Sequence, residues 1–432
     1  MLGTLLYLAQ GLPQGLVYYA IPMWFTANNM PTATIGAAAA AASLPWTFKF
    51  IAGFLVDRYT WLPMGRRRPW LVGSQTLIIA LMLGFALLAP PVSQSTLIIG
   101  LAFAISALTA VQDVSLDALA ADLTPDREKG RMNGFMFAGK LVGIAAGMGL
   151  TGYMLDTVGI RGALLLLAAC FSIPALTVLL VRERPGEKLL PWTAGAASPA
   201  AEKVATQAWG SLFTGVWSNL ANRTCLTIIA FCVIYGIQQA LTDNGQNLMA
   251  IRQMGWSQTQ ISTFNSAGNI ASAVFCLSLG GWLIDRVGPA RIALAAALVS
   301  GALYVMPALT PGVFASDTGF FVWLAAATIP SSVTYLTMLV LVMRVAESRV
   351  AATALAIIFG TQALGMTIGG VLLAPLDAWG GVGGVLGGAA VGIVLAALLA
   401  QTLNREAGGA VSKDQLDDIA AFRDVANREA TI

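Results

Sequence analysis

Long apolar stretches alternate with short polar breaks along almost the whole chain. Twelve of these stretches reach the roughly 20 residues that a helix needs to cross a bilayer. Apolar residues run continuously within them rather than at every second position, which predicts helices and not a β-barrel. The predicted spans are 3–25, 35–56, 69–89, 95–121, 131–155, 161–181, 221–248, 259–283, 289–309, 317–343, 350–374 and 381–402. The pattern therefore predicts an all-α membrane protein.

Two long polar segments divide the chain. Residues 182–220 form a linker with several prolines and small residues, and residues 405–432 form a polar tail. These segments predict an N-terminal six-helix bundle at 1–181 and a C-terminal six-helix bundle at 221–404. The first apolar run lacks a charged leading segment, so no cleavable signal peptide is expected.

The basic residues predict the orientation of the chain. Of the 24 lysines and arginines, Arg161 and Arg252 fall on one side of the membrane, and Lys49 and Lys140 fall inside spans. The others lie in the loops of the opposite side and in the tail, and that side is cytoplasmic by the positive-inside rule. We therefore expect a multi-pass protein of the inner (plasma) membrane with both termini in the cytoplasm.

The composition agrees with this pattern and narrows the possible chemistry. Apolar residues make up 57% of the 432 residues and charged residues only 10%, whereas soluble domains have about 25% charged residues. No histidine occurs, so a proton carried near neutral pH must reside on a carboxylate. The four cysteines have no CxxC spacing, and no phosphate-binding loop is present. We expect no cofactor, no metal, no nucleic-acid partner and no enzymatic activity.

A shift of 228 residues relates the two predicted bundles. The related positions are Gly53, Asp57 and Arg58 with Gly281, Asp285 and Arg286, and Gln10 with Gln238. A parallel internal repeat of this kind is typical of transporters in which two halves rock about a central site.

The loop after span 2 carries residues of a known family. Gly53, Asp57 and Arg58 are followed by Gly65 and then three arginines at 66–68. This run resembles the hallmark of the major facilitator superfamily. The long spacer at 59–64, together with the Gln-Asp-x-x-x-Asp run at 112–117 in span 4, resembles its peptide/acetyl-coenzyme A transporter branch, which includes anhydromuropeptide permeases and siderophore permeases. The resemblance implies twelve helices in two six-helix repeats, with spans 1, 4, 7 and 10 around a cavity.

Charged residues inside the membrane are costly, and each is a functional hypothesis by default. The helical rise places Lys49, Asp113 and Lys140 roughly 12–14 Å inside the cytoplasmic boundary, and Asp117 lies one turn from Asp113 on the same face. These four residues carry no net charge, which a low-dielectric interior tolerates. They form either a structural ion-pair network or a proton site at Asp113 or Asp117, with the lysines as charge partners. Span 10 has no acid at 330–343, which favours the proton site.

Spans 1 and 7 offer candidate solute-binding residues. In span 7 these are Gln238, Gln239, Thr242, Asp243 and Asn244, and in span 1 they are Tyr7, Gln10, Gln14 and Tyr18. Amide groups suit sugar hydroxyls or peptide groups, and aromatic rings suit stacking on a sugar. The alternatives are a solvated outer mouth for the span 7 segment and interfacial anchoring for Tyr18.

The cytoplasmic loops hold candidate gating residues. These are Asp57, Arg58, Arg66, Asp285 and Arg286. Charge-assisted bonds among such residues would hold the two halves together when the inner gate is shut. The positive-inside rule alone explains the arginines equally well.

Together with the resemblance, these residues predict a proton-coupled symporter that imports a small polar solute by alternating access. The partners are then the solute, protons and the lipid bilayer, and we expect a monomer. A muropeptide-type sugar-peptide is the favoured solute, because Lys140 matches a basic residue of the anhydromuropeptide permeases. Siderophore uptake is the alternative, since its permeases share the Ala-Gln-Gly-Leu-Pro run at 9–13. Sodium coupling and export stay open. A membrane-embedded enzyme or sensor is a remote alternative, because bare carboxylates would have to carry any catalysis.

Overall fold

A computed structural model describes residues 2–123, 129–198, 223–275, 283, 286–310, 316–345 and 351–429. Its long elements are all helices, and a short 3₁₀ turn lies at Leu62–Met64. The helices are α1 (Leu2–Gln14), α2 (Ile21–Ala27), α3 (Thr32–Thr47), α4 (Lys49–Arg58), α5 (Arg68–Leu88), α6 (Ser95–Leu123), α7 (Lys129–Thr157), α8 (Ile160–Leu180), α9 (Arg223–Leu248), α10 (Gln258–Phe275), α11 (Pro289–Leu309), α12 (Asp317–Val345) and α13 (Ala351–Glu429).

Within the described residues, each predicted span falls on one or two of these helices. A π-helical turn, Gly15–Ala20, joins α1 to α2 within span 1, and a second one, Met249–Gln253, extends α9. Spans 11 and 12 are the two limbs of α13, which separate where the backbone leaves the helical conformation at Gly380 and Gly381. In the described part of the chain, six helical stretches are long and apolar enough to cross a membrane, by length and composition.

Span 2 is not one continuous helix, which the hydrophobic pattern did not predict. Its outer part, α3, ends at Thr47, and α4 begins at Lys49. The residue between them, Phe48, has φ −98° and ψ 15°, and its amide bonds to the carbonyl of Pro45. Pro45 itself has no amide hydrogen to continue the helical ladder. The interruption makes Lys49 the first residue of a new helix.

Glycines bring the first helix of each half close to a partner. A Cβ atom on Gly143 of α7 would meet the carbonyl oxygen of Leu8 on α1. In the other half, a Cβ atom on Gly365 of α13 would meet the carbonyl oxygen of Val233 on α9. Small residues allow backbones to approach in this way, and the packing gained takes the place of a hydrophobic driving force between helices.

The two halves meet along two helix pairs. Gly36 of α3 packs against the backbone of Gly370 on α13. On the other flank, the hydroxyl of Ser266 on α10 donates to the carbonyl of Ala145 on α7 at 2.9 Å. The helices α3, α7, α10 and α13 therefore form the contact between the halves.

A methyl group at Gly143 tests the close contact between α1 and α7. We expect Gly143→Ala to lower the free energy of unfolding by about 1–3 kcal/mol, because the two backbones must separate. Gly84→Ala on α5 is the matched control, since a Cβ atom there meets open space. The measurement is the thermal unfolding midpoint of the purified protein in detergent. Equal midpoints for the two variants would contradict the packing described here.

Candidate functional site

The four membrane-embedded charges of the N-terminal half lie together, and we name Lys49, Asp113, Asp117 and Lys140 the charge quartet. Lys49 Nζ forms an ion pair with Asp113 and lies 3.2 Å from the Asp117 carboxylate. Lys140 Nζ lies 4.0 Å from Asp113. The quartet joins α4, α6 and α7 and carries no net charge.

Exposure differs sharply between the two acids. The Asp113 side chain is 4% exposed, whereas the Asp117 side chain, one helical turn further along α6, is 49% exposed. Both lysines are largely covered, at 14% for Lys49 and 25% for Lys140. Asp117 is therefore the most exposed member of the quartet, and Lys49 connects it to the buried acid.

Helix α1 supplies a neutral donor to each acid. The hydroxyl of Tyr7 donates to Asp117, and the amide of Gln10 donates to Asp113. Both side chains are buried. These two residues were predicted to bind the solute, and that role stays a prediction; in this structure their side chains donate to the two carboxylates.

The other candidates of span 1 lie further along the same element. Gln14 is buried, and Tyr18 is partly buried beside Ser106 of α6. Tyr18 therefore stays a candidate for solute contact, and it lies in the π-helical turn.

Trp46 covers the two lysines from one side. The ammonium groups of Lys49 and Lys140 lie 5.8 and 5.1 Å from the centre of its ring. The ring nitrogen donates to Ser106 at 3.0 Å, which fixes the ring. A cation over an aromatic face is attracted by the ring electrons. The sequence did not predict that Trp46 contacts the charge quartet, because no local sequence pattern indicates that the end of α3 lies beside both lysines.

The polar segment of α9 has a buried side and a more accessible side. Gln238 donates to Thr242 at 2.8 Å, and Asn244 donates to the carbonyl of Ala240 at 2.8 Å. All three predicted candidates on that side, Gln238, Thr242 and Asn244, are buried.

The accessible face of α9 consists of half-buried residues one turn apart, Gln239, Asp243 and Gln246. The amide of Gln362 on α13 donates to Gln239 at 3.0 Å. Of the five residues predicted in span 7, Gln239 and Asp243 are thus the more accessible ones, and the solute-binding role of all five stays a prediction. Gln246 was not among the predicted residues, although its spacing from Asp243 follows the helical period.

The predicted gating loop is bound to its own half. The backbone amides of Arg66, Arg67 and Arg68 donate to the carboxylate of Glu183 at 2.9–3.1 Å. The Arg68 guanidinium donates to the carbonyls of Val178, Leu179 and Lys188. A cation there complements the negative end of α8.

Arg66 was predicted to be a gating residue, and that role stays a prediction. The described contacts of its neighbours Arg67 and Arg68 include carbonyls at the ends of α4 and α8. Arg58 and Arg286 are exposed. Asp285 and the side chain of Asp57 lie outside the described residues, so their gating roles stay predictions. Sequence reasoning missed Glu183, which follows span 6 within a basic segment.

A polar cluster joins the two halves at the opposite end of the helices, and we name it the outer latch: Met30, Thr32, Arg252 and Asp377. Arg252 donates to the Thr32 hydroxyl at 3.2 Å and to the Met30 carbonyl, and it lies 4.0 Å from Asp377. Thr32 also donates to Asp377. Thr32 is the first residue of α3, and α3 packs on α13 one turn later, at Gly36. The latch therefore lies at one end of the contact between the halves.

Comparison with known proteins gives a family and several relatives. The Major Facilitator Superfamily matches residues 3–370. The anhydromuropeptide permease of Escherichia coli (strain K12) is 26% identical over 296 residues, which are 68% of this chain and 57% of the permease. The match thus spans little more than half of that permease. An uncharacterized protein of Haemophilus influenzae is 30% identical over 178 residues, 40% of each chain.

Solved structures share the fold. A POT family transporter in complex with a thioalcohol-conjugated peptide superposes with a TM-score of 0.69 at 13% identity, covering 94% of this chain and 96% of that one. The xylose transporter XylE of E. coli, in an inward-open conformation, superposes with a TM-score of 0.66 at 14% identity, covering 93% and 94%.

Removal of one charge from the quartet tests the ion pairs. We expect Lys49→Met to destabilise the protein by about 3–5 kcal/mol, because the buried Asp113 loses its ion-pair partner. Adding Asp113→Asn should recover most of that loss, since no unpaired charge then remains at this pair. Unfolding midpoints in detergent measure both effects, with Lys413→Met in the tail as the control. Strictly additive losses in the double variant would show that the pair is not coupled.

Proposed function

This chain belongs to the major facilitator superfamily, and from that premise we propose that it is a proton-coupled symporter that imports a muropeptide-type sugar-peptide by alternating access. Membership of the superfamily makes it a membrane transporter with the major facilitator fold. The division into twelve membrane-spanning helices in two six-helix halves stays a prediction. Proton coupling, the direction of transport and the solute are the proposal.

The observation that carries proton coupling is the graded exposure within the charge quartet. Asp117 is half exposed, Asp113 is almost completely buried, and Lys49 contacts both. Burial favours the protonated form of a carboxylate, whereas a nearby ammonium favours the charged form. A small movement of Lys49 between the two acids therefore changes which form of Asp117 is stable.

A proton on Asp117 has a direct mechanical consequence. It neutralises the carboxylate and weakens the 3.2 Å contact with Lys49, which then pairs with Asp113 alone. The Tyr7 hydroxyl on α1 also loses a charged acceptor. Because these groups lie on α1, α4 and α6, the proton alters how three helices are held together.

The relative with a named cargo supports the choice of solute. The anhydromuropeptide permease of E. coli matches 68% of this chain. On the accessible face of α9, the amides of Gln239 and Gln246 suit sugar hydroxyls and peptide groups. Lys140, one of the less tightly paired members of the quartet, suits a carboxylate of the peptide.

Alternating access requires the outer latch to open. In the closed arrangement described here, Arg252 and Asp377 of the C-terminal half hold Met30 and Thr32 of the N-terminal half. Asp156 adds a second contact on the other flank, where it accepts from the amide and hydroxyl of Thr259 at 2.6 Å. These contacts support an outward gate that is shut while water reaches Asp117.

Replacement of the exposed acid tests the proton site. In proteoliposomes with an inward proton gradient, we expect Asp117→Asn to reduce accumulation of a labelled anhydromuropeptide at least about tenfold, because the amide cannot carry the proton. Counterflow without a gradient should stay within about threefold of the wild type, since solute exchange needs no net proton movement. Asp414→Asn in the tail is the control.

Two results would contradict the assignment of the coupling proton to the charge quartet. If Asp117→Asn and Asp113→Asn both accumulate the solute as the wild type does, the coupling proton does not reside in the quartet. If a sodium gradient, and not a proton gradient, drives the wild type, proton coupling itself is wrong. A ferric siderophore serves as the competing cargo in the same assay.

A disulfide across the outer latch tests alternating access. Thr32 and Asp377 are hydrogen-bonded, so cysteines at both positions, in a variant without the four native cysteines, should form a disulfide on oxidation. We expect the Thr32→Cys, Asp377→Cys variant to lose uptake when oxidised and to regain it on reduction. Each single-cysteine variant is a control. Full uptake in the crosslinked state would contradict the movement at this contact.

A further inference from the structure

We propose that Asp243 binds an ammonium group of the solute, so that the transporter selects solutes carrying a free amine. This inference rests on the proposed function and names the chemical class of its solute. It concerns the C-terminal half, whereas the coupling proton is assigned to the quartet in the N-terminal half.

Asp243 has no partner in the part of the chain that the structure describes. It lies half-buried on α9, with Gln239 one turn before it and Gln246 one turn after it. The described side chains give it neither a hydrogen bond nor an ion pair, although Gln238, Thr242 and Asn244 beside it are all hydrogen-bonded. A carboxylate removed from bulk water without a partner is unfavourable, unless a cation joins it.

The described cations are engaged elsewhere. Lys49 and Lys140 pair with the acids of the quartet. Arg252 follows Asp243 by nine residues, roughly 13 Å along the helix, and belongs to the outer latch. The quartet is neutral in itself, so Asp243 leaves one negative charge uncompensated in the region between the halves.

The surroundings of Asp243 are aromatic. Tyr235 precedes Asp243 by eight residues on α9, and Tyr19 and Tyr304, on two other elements, lie within electrostatic range of its carboxylate. Tyr235 and Tyr304 are buried. The ring of Tyr235 lies 6.2 Å from that of Tyr335, at an angle of 32° between the planes. A carboxylate among aromatic rings is a favourable site for an organic ammonium, which gains both an ion pair and cation–π attraction.

The π-helical turn connects this site to the charge quartet. Tyr18 lies beside Ser106 and within range of Asp113, while its neighbour Tyr19 lies within range of Asp243. Consecutive residues of one turn thus lie within electrostatic range of the two charged sites. π-helical turns often occur at functional sites, because the extra residue redirects side chains. An ammonium held by Asp243 would therefore contact the same short segment that faces the proton site.

Matched pairs of solutes test the inference by binding to the purified full-length protein. One pair is an anhydromuropeptide whose peptide has a free amine, and the same molecule after N-acetylation. The second pair is alanyl-alanine and its N-acetyl derivative. We expect the wild type to bind each amine at least about tenfold more tightly than its acetylated form. Asp243→Asn should reduce that preference below about threefold, and Asp243→Glu should retain it. Asp414→Asn is the control.

The result that overturns the inference is a wild type that binds the acetylated forms as tightly as the amines, or that binds neither amine. That comparison uses only the wild type, so the inference can be tested even if Asp243→Asn is unstable. Failure of the proposed function looks different. If the amine preference depends on Asp243 while no proton gradient drives uptake of the muropeptide, the ammonium site stands and the symport proposal falls.

Discussion

The compensation of buried charge is the constraint on which the rest of the structure depends. An isolated charge in a low-dielectric interior is very unfavourable, and the N-terminal half tolerates four because they neutralise one another. The ion pair of Lys49 with Asp113 requires α4 to lie against α6, and Lys140 requires α7 to approach the same point. The glycine contact of Gly11 with the backbone of Lys140 permits that approach. Packing and electrostatics thus specify the same arrangement of helices.

The compensation of buried charge also differs between the two halves. The acids of α6 have lysine, tyrosine and glutamine partners, whereas Asp243 on α9 has no described partner. In the proposed arrangement, the charges of the quartet are balanced by the protein, and the charge of Asp243 is balanced by the cargo. The outer latch and the glycine contacts between α3 and α13 hold the two halves together at a distance from these sites.

The sequence predicted those features that follow from the local hydrophobic pattern and from the balance of charge. The spans follow from runs of apolar residues, and the quartet follows from helical rise and the need for neutrality, without knowledge of any contact. Trp46 and Glu183 could not be found in this way. Their contacts form where helix ends that are far apart in sequence come together. The residues next to Trp46 and Glu183 in the sequence do not indicate which distant residues these side chains will contact. Likewise, the sequence did not predict that Tyr7 and Gln10 donate to Asp117 and Asp113, because the pattern shows polarity but not direction.

The interruption at Phe48 gives span 2 two separate attachments. Its outer segment, α3, packs on α13 of the opposite half through Gly36, and its inner segment, α4, presents Lys49 to the acids of α6. A continuous helix would transmit every tilt of the outer contact directly to that ammonium. The interruption at Phe48 therefore divides one span into a segment that contacts the opposite half and a segment that carries a charge of the quartet.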